Sequence, residues 1–161
     1  MKICGIDPGK KGGLAIIEDG NMIERLVTPL NEEDNIDWEI LANFISKHNP
    51  NVVYIEQVGA RPGQGVCSMF SFGKSYGGLF GVCGALKIKV KTVIPRTWQK
   101  KLLGDGTHEK EDTIKFVQEK FPLVSLLATK RSKVCHDGIS DAIGIAYYGY
   151  IQETTVNAPT P

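Results

Sequence analysis

The chain has 161 residues, 42% of them hydrophobic, 8% aromatic and 23% charged, with a formal net charge of +1. That length and balance give one globular domain with a substantial core and exclude disorder as the main state. The longest uncharged apolar stretch, Ser75 to Leu86, is too short for a membrane span and contains four glycines. The small net charge hides an asymmetry, because residues 86 to 135 carry +7 and the remainder −6.

In chain order, Lys2 to Asp7, Leu14 to Ile17 and Met22 to Val27 read as three consecutive antiparallel strands, the last two joined at the turn signal Asp19-Gly20. Asp37 precedes Trp38, Leu41, Phe44 and Ile45 at helical spacing, and Asn49-Pro50 closes that helix near His48. Asn51 to Glu56 is a buried strand by its β-branched content. Its place after a strand and a helix favours a parallel pair with a right-handed crossover.

Residues 57 to 67 hold Gly59, Pro62, Gly63 and Gly65 around Arg61 and predict an irregular loop. Ser68 to Ala85 reads as a helix in which Gly73, Gly77 and Gly81 form a bare stripe that needs a packing partner, within the chain or across a dimer. Lys87 to Ile94 predicts a strand with one wet face, and Pro95 opens a short helix carrying Trp98. Thr107 is the expected cap of a helix with Ile114, Val117 and Phe121 on its apolar face. Lys130 to Lys133 is a basic loop, and His136 to Ile151 a final helix. The expected domain therefore spans residues 1 to 151, with a flexible tail from 152 to 161. These elements make an α/β fold, a mixed five-stranded sheet flanked by helices.

Cys4, Cys67, Cys83 and Cys135 are too scattered for a zinc knot or a disulfide framework and are expected to be reduced thiols, mostly buried. The start of the chain places Asp7 where a secretory signal would run apolar, so a cytoplasmic location is expected.

The acids carry the chemistry. Asp7 ends the first strand ahead of Pro8-Gly9, and Glu56 ends the buried strand that parallels it, so both emerge at one sheet edge, where such sheets bind ligands. Asp137 and Asp141 are four apart and share a face of the last helix. Two carboxylates about 4 Å apart repel by roughly 4 kcal/mol at an effective dielectric of 20. A converging cluster therefore calls for cations, Mg²⁺ first among hard oxygen-seeking metals.

The motifs Ile6-Asp7-Pro8-Gly9, Tyr54-Ile55-Glu56-Gln57-Val58 and His136-Asp137-Gly138-Ile139-Ser140-Asp141-Ala142 together resemble the RuvC family of Holliday junction resolvases, especially its short phage-encoded members, over nearly the whole chain. The resemblance implies an RNase H-like fold, a homodimer, and cutting of four-way DNA junctions by paired nicks with two Mg²⁺ ions, Mn²⁺ being able to substitute. It also implies 5'-phosphate and 3'-hydroxyl ends, and the host-cell cytoplasm as location if the chain is phage-encoded. By motif position Asp7, Glu56 and Asp141 are implied metal ligands, and Lys110 sits where the family often has a basic residue near the scissile phosphate. The family commonly has an acid or His three residues before the last Asp, where this chain has Gly138. Asp137 is taken as the fourth ligand, with His136 as the alternative. Some members have a junction-entering aromatic at the position of Gly59, a role that would here pass to Met69 or Phe70 or be absent.

On this reading Lys130, Arg131 and Lys133, with Arg61 in the loop after Glu56, are the expected DNA contacts; Lys87, Lys89 and Lys91 offer an alternative path for the phosphates, although most lysines taken singly are expected to lie on a solvated face. Three alternatives stand beside it. One is an RNase H-like nuclease acting on other branched DNA or on RNA. Another is a non-catalytic DNA-binding module whose acids only cap helices. The last, an actin-like or sugar-kinase-like ATPase, would need a second such domain, for which the chain has no room.

Overall fold

The computed structural model describes residues 1–59, 63 and 65–156, with the side chain of Val156 excepted. Its elements are β1 (Lys2–Asp7), β2 (Gly13–Glu18), β3 (Asn21–Val27), α1 (Trp38–His48), β4 (Val52–Glu56), α2 (Val66–Ala85), β5 (Lys89–Val93), α3 (Pro95–Leu103), α4 (Lys110–Lys120) and α5 (Asp137–Val156). The strands form one sheet in the order β3-β2-β1-β4-β5. β1 and β2 pair antiparallel, as do β2 and β3, whereas β4 runs parallel to both β1 and β5. No described helix is long and apolar enough to cross a membrane.

β1 is central and buried through Ile3 to Ile6, which is why its sequence alternates so weakly: each face meets a helical layer. Cys4, Ile6, Leu14, Ile16, Val53 and Ile55 pack against Leu41, Phe44 and Ile45 of α1 and Leu79 and Cys83 of α2. The alternate residues point the other way. Ala15 and Ile17 meet Ile139, Ile143 and Ala146 of α5 and Val117 of α4, while Ile3, Val52, Tyr54 and Val93 meet Trp98 of α3 and Ile145 and Tyr148 of α5.

α5 lies directly on the sheet because glycines remove the side chains that would hold it off. A Cβ on Gly5 of β1 would sit 2.3 Å from the Ala142 carbonyl oxygen and 2.3 Å from the Ala146 nitrogen. At the start of the helix, a Cβ on Gly138 would lie 2.3 Å from the carbonyl oxygen of Lys11 in the β1–β2 turn. Both positions are closed to any other residue unless backbone moves.

Four expectations need correction. α4 is capped by Glu109 rather than Thr107, since Glu109 and Asp112 form a reciprocal capping box. α5 runs to Val156, so the flexible tail does not begin at 152: Glu153 is buried and accepts a 2.8 Å hydrogen bond from Tyr54 Oη as well as pairing with Lys91. That pairing, with the Lys91 ammonium 5.8 Å from the centre of the Tyr54 ring, also takes Lys91 out of the free cations of β5. Finally, of the two partners expected for the glycine stripe of α2, the one within the chain is not found among the described residues, which leaves the one across a dimer: a Cβ on Gly73, Gly77 or Gly81 would meet nothing within 4 Å. The helix packs instead through Ser75, Leu79 and Cys83, with Gly78 set against the Trp38 ring. Of the four free cysteines, Cys4 and Cys83 are buried, Cys135 is partly covered and Cys67 is exposed.

Candidate active site

Strand pairing places the first two acids. Ile6 is in register with Ile55 on the adjacent parallel strand, so Asp7 and Glu56 leave the sheet side by side at its C-terminal edge. By alternation both stand on the face that carries Ile3, Val52 and Tyr54, the face covered by α5. The close contact of Gly138 with the β1–β2 turn brings the first turns of α5, with Asp137 and Asp141, to that same edge.

Two of the four acids, Asp7 and Asp141, are raised by burial and then by the others. Burial, then the charges of Glu56, Asp141 and Asp137, push the Asp7 carboxyl well above the usual range, against a smaller pull from Lys110. Burial also pushes Asp141 up to about 7, again with help from Glu56 and Asp137. α4 supplies the opposing groups. Lys110 forms an ion pair with Asp137, whose carboxyl it holds below the ordinary value, and the lysine itself is raised by the same hydrogen bond. One turn on, the buried Thr113 hydrogen-bonds Asp141 and lowers it in part. Glu56 accepts a 2.8 Å hydrogen bond from the indole nitrogen of Trp98.

Among the described residues no group of three or more His, Cys, Asp or Glu side chains is arranged to hold an ion. Two of the four acids are turned to other groups, Asp137 to Lys110 and Glu56 to Trp98. The donor set nonetheless suits a hard divalent cation: all the donors are carboxylate oxygens, and two of them, Asp7 and Asp141, are raised by burial and then by repulsion from neighbouring carboxylates, a repulsion that a cation would relieve.

The remaining expected residues are dispersed. Lys130, Arg131 and Lys133 are exposed on a small loop closed by the Leu127–Cys135 bridge. The backbone amide of His136 bonds the Leu126 carbonyl at 2.8 Å, so the base of this loop joins the start of α5. The ring of His136 has a buried Nδ1 without a hydrogen-bond partner among the described residues. Arg61 lies outside the described residues. Phe70 is 75% exposed at the start of α2, whereas Met69 is partly covered. Sequence reading missed Thr113 and Trp98. Thr113 stands three residues after Lys110 and so shares its helix face, a signal that was there to be used; nothing local marks the Trp98 contact.

This geometry has solved counterparts. RuvC from Thermus thermophilus is 18% identical and superimposes with a TM-score of 0.71 over 98% of both chains. The same protein in complex with a Holliday junction substrate gives 17% identity and a TM-score of 0.72 over 98% of each chain. The fold is that of RuvC. The fowlpox virus Holliday junction resolvase is 20% identical, with a TM-score of 0.60 over 95% of this chain and 99% of its own. No protein-family model matches the chain, and no curated protein does. The RuvC likeness, an RNase H-like arrangement with a mixed five-stranded sheet and five helices, therefore rests on three-dimensional structure.

Proposed function

We propose that the chain is a structure-selective endonuclease that resolves four-way DNA junctions by metal-dependent phosphodiester hydrolysis. One observation carries this reading: Asp7, Glu56, Asp137 and Asp141, from two adjacent parallel strands and one helix, share a single edge of a RuvC fold, where burial and the neighbouring carboxylates raise the proton affinity of Asp7 and Asp141. Acids that merely capped helices would face solvent and stay ionised, unlike Asp7 and Asp141. The RuvC and fowlpox structures named for Holliday junction complexes support the same substrate.

In this reading Asp7, Glu56, Asp141 and Asp137 hold two Mg²⁺ ions, which when bound would activate a water and stabilise the leaving oxygen of an in-line displacement at phosphorus. Such ions, when bound, would favour the ionised forms of Asp7 and Asp141, the two carboxyls that burial and their neighbours raise. Lys110, largely exposed at the rim, is placed to stabilise charge developing on the phosphoryl oxygens while it steadies Asp137. The basic loop from Lys130 to Lys133 takes the DNA backbone, and Phe70 is the exposed aromatic suited to enter the junction.

Paired nicks need two sites, and the outer face of α2 offers the means. Val66, Phe70, Gly73, Gly77, Phe80 and Gly84 follow one another at spacings of four and three, the seam of a helix pair. A homodimer would bury the Gly73 to Gly84 part of this seam. Junctions are intracellular DNA, which agrees with a cytoplasmic location.

The test is cleavage in Mg²⁺ of a four-way junction beside a linear duplex and an RNA–DNA hybrid of equal length. Only the junction should be cut, and Asp7→Asn should bind it without cutting. Equal cutting of the linear duplex or the hybrid, or full activity in Asp7→Asn, overturns the proposal.

A further inference from the structure

Glu56 and Asp141 come from different elements, and one side chain touches both elements. Trp98 is fully buried in the first turns of α3. The pairing of Glu56 with Val93 sets its position, since α3 starts two residues after Val93. Its indole nitrogen donates to Glu56 Oε1 at 2.8 Å. Its six-membered ring lies against Gly144 of α5, where a Cβ would fall 2.9 Å from the ring. Gly144 is three residues beyond Asp141, nearly one turn along the same helix.

Resting on the active-site reading above, we infer that Trp98 is a positioning residue for metal binding: its N–H fixes the Glu56 carboxylate while its ring sets the seat of the helix that carries Asp141. A buried indole requires an acceptor for its single N–H, and here that acceptor is an acid of the site. A phenylalanine would fill nearly the same core volume. The donor is therefore separable from the packing. Groups that orient a ligating carboxylate typically contribute 10–100-fold to metal affinity.

The experiment measures Mn²⁺ binding by calorimetry to the full chain, freed of metal, for wild type, Trp98→Phe, Glu56→Ala and the double variant. Trp98→Phe should weaken Mn²⁺ binding about 10-fold or more and raise the Mg²⁺ concentration for half-maximal junction cutting by a like factor, leaving metal-free junction binding unchanged. In the Glu56→Ala background the same change should cost little more, because the two act through one carboxylate. Unchanged Mn²⁺ affinity in Trp98→Phe, with Glu56→Ala weakened, overturns the inference and leaves the active-site reading standing. Unchanged affinity in Glu56→Ala overturns both. A measurement without any substitution serves if Trp98→Phe does not fold: of the two tryptophans, the Trp98 indole N–H resonance should shift on adding Mg²⁺ with the calorimetric midpoint. Trp38, on the opposite face of the sheet, should not move. A Trp98 resonance that stays still overturns the inference.

Discussion

Lys110 and Asp137 join α4 to the first turn of α5 through an ion pair at the rim of the acidic cluster. The lysine side chain is mostly exposed, so the pair adds little to stability. On the proposed function, its importance lies in where it holds positive charge. Lys110→Ala is expected to lower single-turnover cutting by about 10²-fold with less than about a twofold change in junction affinity. Equal losses in rate and affinity would make Lys110 an ordinary phosphate contact.

Gly138 explains sterically why a side chain is missing at a position where the resembled family commonly has a ligand. With the Lys11 carbonyl oxygen 2.3 Å from any Cβ, Gly138→Ala must move backbone, at a cost of about 1–3 kcal/mol or more. The expected outcome is a lower melting temperature and, because Asp137 adjoins the displaced turn, reduced cutting even below that temperature. Wild-type behaviour in both measurements would mean that the β1–β2 turn yields freely.

The fold was largely legible because each element carried its own local signal: β-branched runs for the strands, Asp37 before an apolar period for α1, Pro95 at the start of α3. The acids were legible too, since Asp7 and Glu56 end buried strands, where an apolar residue would be the ordinary choice. What sequence left hidden is tertiary. The last turns of α5 look too polar to pack, yet Glu153 is held by Tyr54, 99 residues away, and by Lys91. The Thr107 cap fails for a more local reason, because Glu109 and Asp112 satisfy the helix terminus reciprocally two residues later. The contacts of Trp98 with Glu56 and Gly144 depend on sheet register, which no window of sequence contains.

The α2 stripe separates folding from assembly. Gly77 meets nothing within the described chain, so Gly77→Ala should leave the monomer intact and favour its helix by up to about 1 kcal/mol. Gly77→Leu should keep the far-ultraviolet circular dichroism of the wild type but shift the mass in solution from dimer to monomer. An unchanged mass would place any dimer contact elsewhere.

Asp141 gives the metal-free protein a pH dependence whose sign is fixed. Its carboxyl is raised to about 7 from an ordinary 3.8, so between those values the folded state holds a proton that the unfolded state has released. The stabilisation is complete below about pH 4 and is lost as pH rises through 7. Asp7 is shifted in the same direction. In chelator the melting temperature should therefore fall between pH 5 and pH 8, and Asp141→Asn should show a smaller fall. Excess Mg²⁺ should also reduce it, since the ion favours the ionised acids. A melting temperature that rises over this range would contradict the burial of Asp141.

The basic loop should separate binding from cutting. Its tip is an exposed turn in which Ser132 N bonds the Thr129 carbonyl at 3.1 Å, and a hydrogen bond from Arg25 to the Leu127 carbonyl ties its base to β3 at 2.7 Å. Lys130, Arg131 and Lys133 are thus presented from a fixed base that leads directly into Asp137, and none is paired with an acid among the described residues. Each phosphate neutralised contributes about −0.9 to the slope of log K against log salt on duplex DNA. Replacing all three by Ala should flatten that slope by up to about three units and weaken binding to every DNA shape alike, while the cutting rate of saturated enzyme stays near wild type. An untouched slope would make the loop a solvated surface. The phosphates would then have to follow Lys87 and Lys89, because Glu153 already engages Lys91.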